Sequence, residues 1–179
     1  MLRTALAALL LTATPALAQD WTVDTDASRV GFETSAFGST VTGEFADWNA
    51  AITLDPADLA NARIDATVSV ATGSTGNGQL DQSMLSAEGL APETHAQARF
   101  TSEDIRASAD GYEAHGTLNI RGADQAVILP FRLEITDGRA VADAALEIAR
   151  IDYGVGDASW GETAASVTIV LHIEADAAP

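Results

Sequence analysis

The chain has 179 residues and a hydrophobic content of 47%, which suits one globular domain with a single core. Its formal net charge is −17 and all nine basic residues are arginine, so nucleic acid and anionic lipid surfaces are excluded as bulk partners. The absence of cysteine excludes disulfide bonds, zinc–thiolate sites and thiol catalysis.

Residues 1–18 have the three parts of a secretory signal peptide. Arg3 gives a positive start, residues 4–14 form an apolar stretch, and Ala16 and Ala18 are the small residues that a signal peptidase reads. The apolar stretch is shorter than the roughly 20 residues that a membrane anchor needs. We therefore predict cleavage after Ala18 and a mature domain over residues 19–179 outside the cytoplasm.

The first half of the mature chain alternates apolar and polar side chains, which is typical of half-buried β-strands. This pattern predicts strands over residues 21–35, 41–54 and 62–72, with a turn at 37–39. A bend is expected in the second strand near Asp47.

Residues 78–90 break the alternation. Leu80, Met84 and Leu85 share one helical face, while Asp81 and Gln82 face away from it. This spacing predicts a short amphipathic helix inserted between the third and fourth strands.

Alternation returns at residue 96 and continues to residue 175. Turn signals at residues 109–111, 121–124 and 136–139 separate the later strands, and Asp-Gly at 137–138 is a strong signal for a two-residue hairpin. The last two strands are predicted over residues 140–152 and 164–175. The chain is thus all-β, with about eight antiparallel strands.

Two architectures bury the apolar faces of such strands, a two-sheet sandwich and a closed barrel. An eight-stranded barrel has an interior that is either filled by side chains or holds one slim ligand. Alternation does not distinguish a filled interior from a hollow one.

The sequence resembles the YceI-like family, and the resemblance runs from Trp21 to about Ala175. It is carried by an ordered set of segments, which includes WTVDTDASRVGFET, VTGEFADWNAAITLDP, GYEAHGTLNIRGADQAVILPF and RIDYGVGDASW. The resemblance implies a periplasmic, lipocalin-like eight-stranded β-barrel that binds a polyisoprenoid lipid in an apolar tunnel. It also implies a membrane cytochrome b as a partner, since some related domains are joined to or encoded with one.

The ligand implied by the resemblance is an isoprenoid quinone or a polyprenyl phosphate, bound without any covalent cofactor. Many relatives carry Arg-Asp where this chain has Leu80-Asp81, which favours an uncharged head group such as a quinone. Asp81, Arg121 and Arg150 are the candidate head-group contacts. The predicted tunnel lining is Phe32, Phe45, Ile64, Val68, Val70, Leu80, Met84, Leu85, Phe100, Leu118, Ile120, Val127, Leu129, Phe131, Leu133, Ile148, Val167, Ile169 and Leu171.

No catalytic residues and no metal site are predicted. His95, His115 and His172 are too scattered for metal-ligand spacing, and no Gly-x-Ser-x-Gly motif occurs. We therefore predict a non-enzymatic carrier, either a monomer or a homodimer. The alternatives are an interaction module that docks a membrane cytochrome b or envelope complex and, more weakly, a hydrolase with carboxylates at the tunnel mouth.

Overall fold

The computed structural model describes residues 19–156 and 160–179, and the predicted signal peptide lies outside this part. Within these two ranges, eleven β-segments form one antiparallel sheet, and one α-helix, α1, spans Gly78–Met84. The β-segments are β1 Asp20–Val23, β2 Arg29–Ala36, β3 Ser39–Phe45, β4 Trp48–Thr53, β5 Arg63–Ser69, β6 Gly73–Ser74, β7 Gln97–Ser108, β8 Gly111–Ile120, β9 Ala123–Thr136, β10 Arg139–Ala149 and β11 Thr163–Ala177. Short 3-10 turns cover Leu59–Asn61, Val70–Thr72 and Arg150–Tyr153.

The eleven segments build eight long strands. β1 and β2 are two parts of one bent strand, because both pair with β11. In the same way β3 and β4 continue each other, as do β5 and β6. The β1–β11 pairing closes the sheet into a ring. The predicted eight-stranded antiparallel barrel with an inserted helix is confirmed.

Two bends interrupt strands that the alternation predicted as long segments. Asp24 folds the chain into a turn, since its Oδ1 accepts from the Ala27 N–H at 3.1 Å and its carbonyl accepts from the Ser28 hydroxyl at 2.6 Å. This turn separates β1 from β2. The bend predicted near Asp47 is present between β3 and β4, where the Asp47 N–H donates to Thr72 Oγ1 at 3.1 Å.

A β-bulge in β7 reconciles two apolar residues that simple alternation would place on opposite faces. The register against β8 shifts between Ser102 and Asp104. The extra residue turns the strand over, so that Phe100 and Ile105 are both buried.

The predicted strand over residues 140–152 is too long. β10 ends at Ala149, and residues 150–153 fold into a 3-10 turn that ends at Gly154 in the left-handed conformation, with φ 66°. Val70, predicted within the third strand, likewise lies in a 3-10 turn.

Two-residue turns with positive φ at both positions join three hairpins, at residues 37–38, 121–122 and 137–138. These are the dihedral signs of the type I′ turn, which favours Asn or Asp followed by Gly. Residues 137–138 are Asp-Gly, as that rule requires. The first position of the 37–38 turn is instead Phe37, at φ 52° and 69% exposed.

The two ends of the barrel differ in what covers them. We call the lower end the one where β1 begins and where residues 54–62, 109–110 and 137–138 connect strands. The upper end holds the turns at 37–38 and 121–122, the β5–β7 connection with α1, and the segment after β10. None of the helices in residues 19–156 and 160–179 has the length and apolar character needed to cross a membrane.

Replacing Phe37 by Asn should stabilise the fold. A left-handed conformation costs about 1–2 kcal/mol for most L-residues and less for Asn. We expect Phe37→Asn to raise the free energy of unfolding by up to about 1 kcal/mol, measured by urea denaturation. The reciprocal change at the matched turn, Asp137→Phe, should lower it. A loss of stability in Phe37→Asn would show that the aromatic ring makes stabilising contacts that outweigh the strain.

Candidate functional site: an apolar barrel cavity

A cavity of about 670 Å³ occupies the barrel interior. Its walls come from the inward-facing residues of the long strands, because alternate side chains on each strand point to the same face. The lining is largely aliphatic and aromatic. It includes Val30, Phe32, Val41, Ile52, Leu54, Ile64, Val68, Phe100, Leu118, Leu129, Leu133, Leu146, Ile148, Val167, Ile169 and Leu171.

Packed side chains close the lower end of the cavity. Trp21 is buried at this end, and its Nε1 donates to the Leu54 carbonyl at 2.8 Å. Ala62, Ala114 and Ile105 are buried around it with 2% exposure or less. The barrel is therefore solid at the lower end and hollow above it.

The upper end covers the cavity only in part. Leu80 and Met84 of α1 reach the cavity from the β5–β7 connection. Most of the exposed residues that line the cavity also belong to this end, namely Phe37, Ser83, Gly161 and Glu162. These positions place the mouth between the 37–38 turn, α1 and the start of β11.

Of the nineteen predicted tunnel-lining residues, the structure brings all but Leu85 and Val127 to the cavity. Leu85 caps α1, and its N–H still donates to the Asp81 carbonyl at 2.9 Å. At 3.6 residues per turn its side chain is rotated by about 100° from that of Met84 about the helix axis, which takes it off the face that reaches the cavity. Both exceptions are half-buried.

Val127 lies outside the cavity lining because the sheet splits between β9 and β10. Pairing between β9 and β10 stops at Ala144 and Phe131, although both strands continue toward the upper end. The 3-10 turn after β10 contacts β9 in this gap, and Gln125 Nε2 donates to the Asp152 carbonyl at 3.0 Å. Tyr153 of the same turn is buried and lines the cavity. Burial raises the pKa of its hydroxyl, which favours the neutral phenol.

Two of the three predicted head-group contacts lie away from the cavity lining. Asp81 accepts hydrogen bonds from the Thr75 hydroxyl and N–H and from the Ser74 hydroxyl. These bonds hold the pKa of its carboxyl below the usual value, with Thr75 the largest cause. Arg121 donates to the carbonyls of Ala87 and Gly154, and so ties the β8–β9 turn to the α1 segment and to the loop after β10. Both side chains hold the upper end in place.

Arg150 is the predicted head-group contact that does line the cavity. Arg150 is 7% exposed, and its guanidinium donates to the carbonyls of Ala164 at 2.9 Å, Val155 at 2.8 Å, Gly156 at 3.1 Å and Thr163 at 3.1 Å. It also lies 5.3 Å from the centre of the Trp160 ring, within cation–π range. Arg150 therefore joins the 3-10 turn to the start of β11.

A cluster of charged side chains on β10 and β11 lies outside the cavity lining. His172 bonds to Asp143 at 2.7 Å and Glu174 at 3.2 Å, and these carboxylates, Asp143 first, raise its pKa. Glu174 also pairs with Arg139, which lowers the pKa of the Glu174 carboxyl. Within residues 19–156 and 160–179, no group of three or more His, Asp or Glu side chains could hold a metal ion.

Several cavity residues were missed at the sequence level. Trp21, Trp48 and Trp160 line the cavity, as do Phe37 and Tyr153. Trp48 lies within the second predicted strand, in the same alternation phase as Ile52. Trp21 has the opposite phase to Phe32 in an unbroken strand over residues 21–35, and the turn at Asp24 is what allows both to face the cavity. Phe37 carried a different signal, an aromatic residue at a turn position that favours Asn or Asp.

The match to known proteins agrees with this architecture. A family model described as the YceI-like domain matches residues 21–175. The chain belongs to the YceI-like family. A UPF0312 protein of Serratia proteamaculans is 28% identical over 177 residues, which cover 93% of this chain and 91% of the relative. Protein YceI of Escherichia coli is 27% identical over 130 residues, which cover 71% of this chain and 68% of the relative.

Solved structures share the YceI-like barrel. The crystal structure of BcnA from Burkholderia cenocepacia has a TM-score of 0.81 at 26% identity and covers 86% of this chain and 99% of its own. A polyisoprenoid binding domain from Saccharophagus degradans, implicated in plant cell wall breakdown, has a TM-score of 0.67 at 14% identity, covering 90% and 99%. At that identity the second likeness concerns the fold alone.

The Arg150 network predicts a stability defect. Arg150→Gln removes several charge-assisted hydrogen bonds and leaves buried carbonyls without donors. We expect the free energy of unfolding to fall by about 3 kcal/mol, measured by urea denaturation. Arg132→Gln, an exposed change on the outer face of β9, is the control and should have little effect. Unchanged stability in Arg150→Gln, together with lost ligand binding, would instead assign Arg150 to the ligand.

Proposed function

We propose that this YceI-like protein is a carrier or buffer that holds an isoprenoid lipid non-covalently in the barrel cavity and catalyses no reaction. The observation that carries the proposal is the apolar cavity of about 670 Å³ inside a closed barrel. This volume lies in the range of pockets that enclose a whole small ligand. An empty apolar space gives its lining atoms no contact partners on one side, so a ligand that fills it gains dispersion contacts as well as burial.

The shape of the site favours a long apolar tail. The cavity has a packed lower end and a mouth at the upper end, so a chain would enter tail first and stop above Trp21. Burial at about 25 cal/mol per Å² makes affinity grow with the length of tail inside. The polyisoprenoid binding domain from Saccharophagus degradans, which shares this barrel, supports an isoprenoid as the tail.

The polar groups near the mouth favour an uncharged head group. Asp81 and Arg121 are engaged in hydrogen bonds within the chain, and the Arg150 guanidinium is surrounded by backbone carbonyls. Leu80 adds an apolar side chain to the cavity. A quinone suits these surroundings better than a polyprenyl phosphate.

The proposed setting is the periplasm. Residues 1–18 carry the signal-peptide pattern, and cleavage after Ala18 would leave Gln19 as the first residue. A carrier outside the cytoplasm would shield a water-insoluble lipid between membrane sites. The hollow interior favours this role over the interaction module, because a barrel that acts only through its outer face needs no cavity. A cytochrome b partner stays a prediction.

Tryptophan substitutions on the inner and outer faces of β5 and β8 test the proposal. Val68 and Leu118 line the cavity, while Thr67 and Thr117 lie on the outward phase. Overpacking a solid core costs about 1–3 kcal/mol, whereas filling a hollow costs less. We expect Val68→Trp and Leu118→Trp to remain folded and to lose bound isoprenoid, as measured by thermal unfolding and by mass spectrometry of extracted lipid.

The outward variants Thr67→Trp and Thr117→Trp are the matched controls, and both should retain lipid at the level of the unsubstituted protein. Unfolding of both inward variants, with no isoprenoid in the unsubstituted protein, would mean that the interior packs solid in solution.

A further inference from the structure

The hairpin tip at residues 37–38 departs from the turn chemistry of the other two type I′ turns. Asp137 belongs to a residue type that tolerates the left-handed conformation. Arg121 adopts it at φ 53° and uses its side chain to bond Ala87 and Gly154. Phe37 is not a residue type that tolerates this conformation, and its side chain makes no comparable contact. It is 69% exposed, and its ring has no aromatic partner among residues 19–156 and 160–179.

Phe37 therefore carries two costs in the isolated protein, a strained backbone and an apolar ring in water. Phe37 violates the residue preference of the type I′ turn, and no contact within the chain compensates for it. Such a violation marks a residue that contacts another molecule. The position of Phe37 indicates what that contact is.

Phe37 stands where the cavity meets solvent. It lines the cavity, and its N–H donates to the carbonyl of Glu162 at 3.0 Å, which joins the hairpin tip to the start of β11. Ile151, in the 3-10 turn after β10, is 56% exposed at the same end of the barrel. The apolar lining is thus continuous with an exposed aromatic side chain at the rim.

We propose that Phe37, assisted by Ile151, inserts into a lipid bilayer and seats the cavity mouth on the membrane, so that a tail passes between bilayer and cavity without crossing water. This inference rests on the proposed function, because it assumes a lipid that resides in a membrane. Aromatic and aliphatic side chains on a protein tip are the groups that partition into the boundary between head groups and acyl chains.

The charge of the protein determines which lipid head groups it can approach. The protein carries a formal net charge of −17, and the exposed Glu162 lies directly beside Phe37 in the backbone pairing. Anionic lipids would repel this end, so the matching surface is zwitterionic. The same net charge opposes a second copy of this chain as the occupant.

Transfer kinetics separate docking from binding. An isoprenoid quinone is supplied in phosphatidylcholine vesicles, and its uptake by the full protein is followed in time. We expect Phe37→Asn to slow uptake about tenfold, the change that corresponds to a loss of about 1.4 kcal/mol. The double variant Phe37→Asn with Ile151→Ser should slow uptake further. Ile151→Ser alone, at a position outside the cavity lining, should slow uptake and leave the amount of quinone bound at equilibrium unchanged. Addition of phosphatidylglycerol should slow uptake by the unsubstituted protein.

Ile135→Thr is the matched control, because Ile135 is 41% exposed near the 137–138 turn at the lower end. Its uptake rate should equal that of the unsubstituted protein. Equal rates in Phe37→Asn and the unsubstituted protein would overturn the proposal. A lower equilibrium occupancy in Ile151→Ser would overturn it as well, since Ile151 would then act on ligand binding and not on docking.

A second measurement tests docking without any ligand. Phe37→Trp places a reporter at the tip, and its emission, obtained as the difference from the unsubstituted protein, should shift to the blue when empty phosphatidylcholine vesicles are added. An unshifted emission would contradict insertion. If the shift occurs and no quinone is ever bound, the docking inference stands and the proposed carrier function fails.

Discussion

The structure depends on one closure, the pairing of β11 with β10 along one edge and with β1 and β2 along the other. An open sheet would leave edge N–H and C=O groups free to pair with other chains. Closure satisfies these groups and encloses the inward-facing residues of eight strands. Since the chain has no cysteine, backbone pairing and burial are what hold the ring together.

Closure alone would not leave a cavity, because an eight-stranded barrel can be filled by its own side chains. Whether the interior is filled or hollow depends here on the segments that cover the two ends of the barrel. Trp21 and Leu54 fill the lower end together with a set of small buried residues. At the upper end, α1 and the turn after β10 contribute side chains to the rim of the cavity and leave its centre open. Arg121 and Arg150 hold these covering segments through backbone carbonyls.

Alternation was sufficient to predict the strands, the bend near Asp47 and the inward phase of most cavity residues. A strand has only two faces, and its apolar face is the one that turns inward. Alternation failed where the chain departs from a period of two. The bulge between Ser102 and Asp104 changes the phase within β7, and the turn after β10 enters the gap beside β9 and excludes Val127 from the cavity. The roles of Asp81 and Arg121 depend on contacts between distant segments, which a local pattern does not contain.

The central claim is that the hollow in this barrel holds an isoprenoid lipid. Native mass spectrometry of the protein, exported and purified without detergent, tests it most directly. We expect a species that is heavier than the polypeptide by the mass of one isoprenoid lipid. This species should release the lipid on unfolding. A single mass equal to that of the polypeptide, which persists after incubation with quinone-loaded vesicles, would contradict the account.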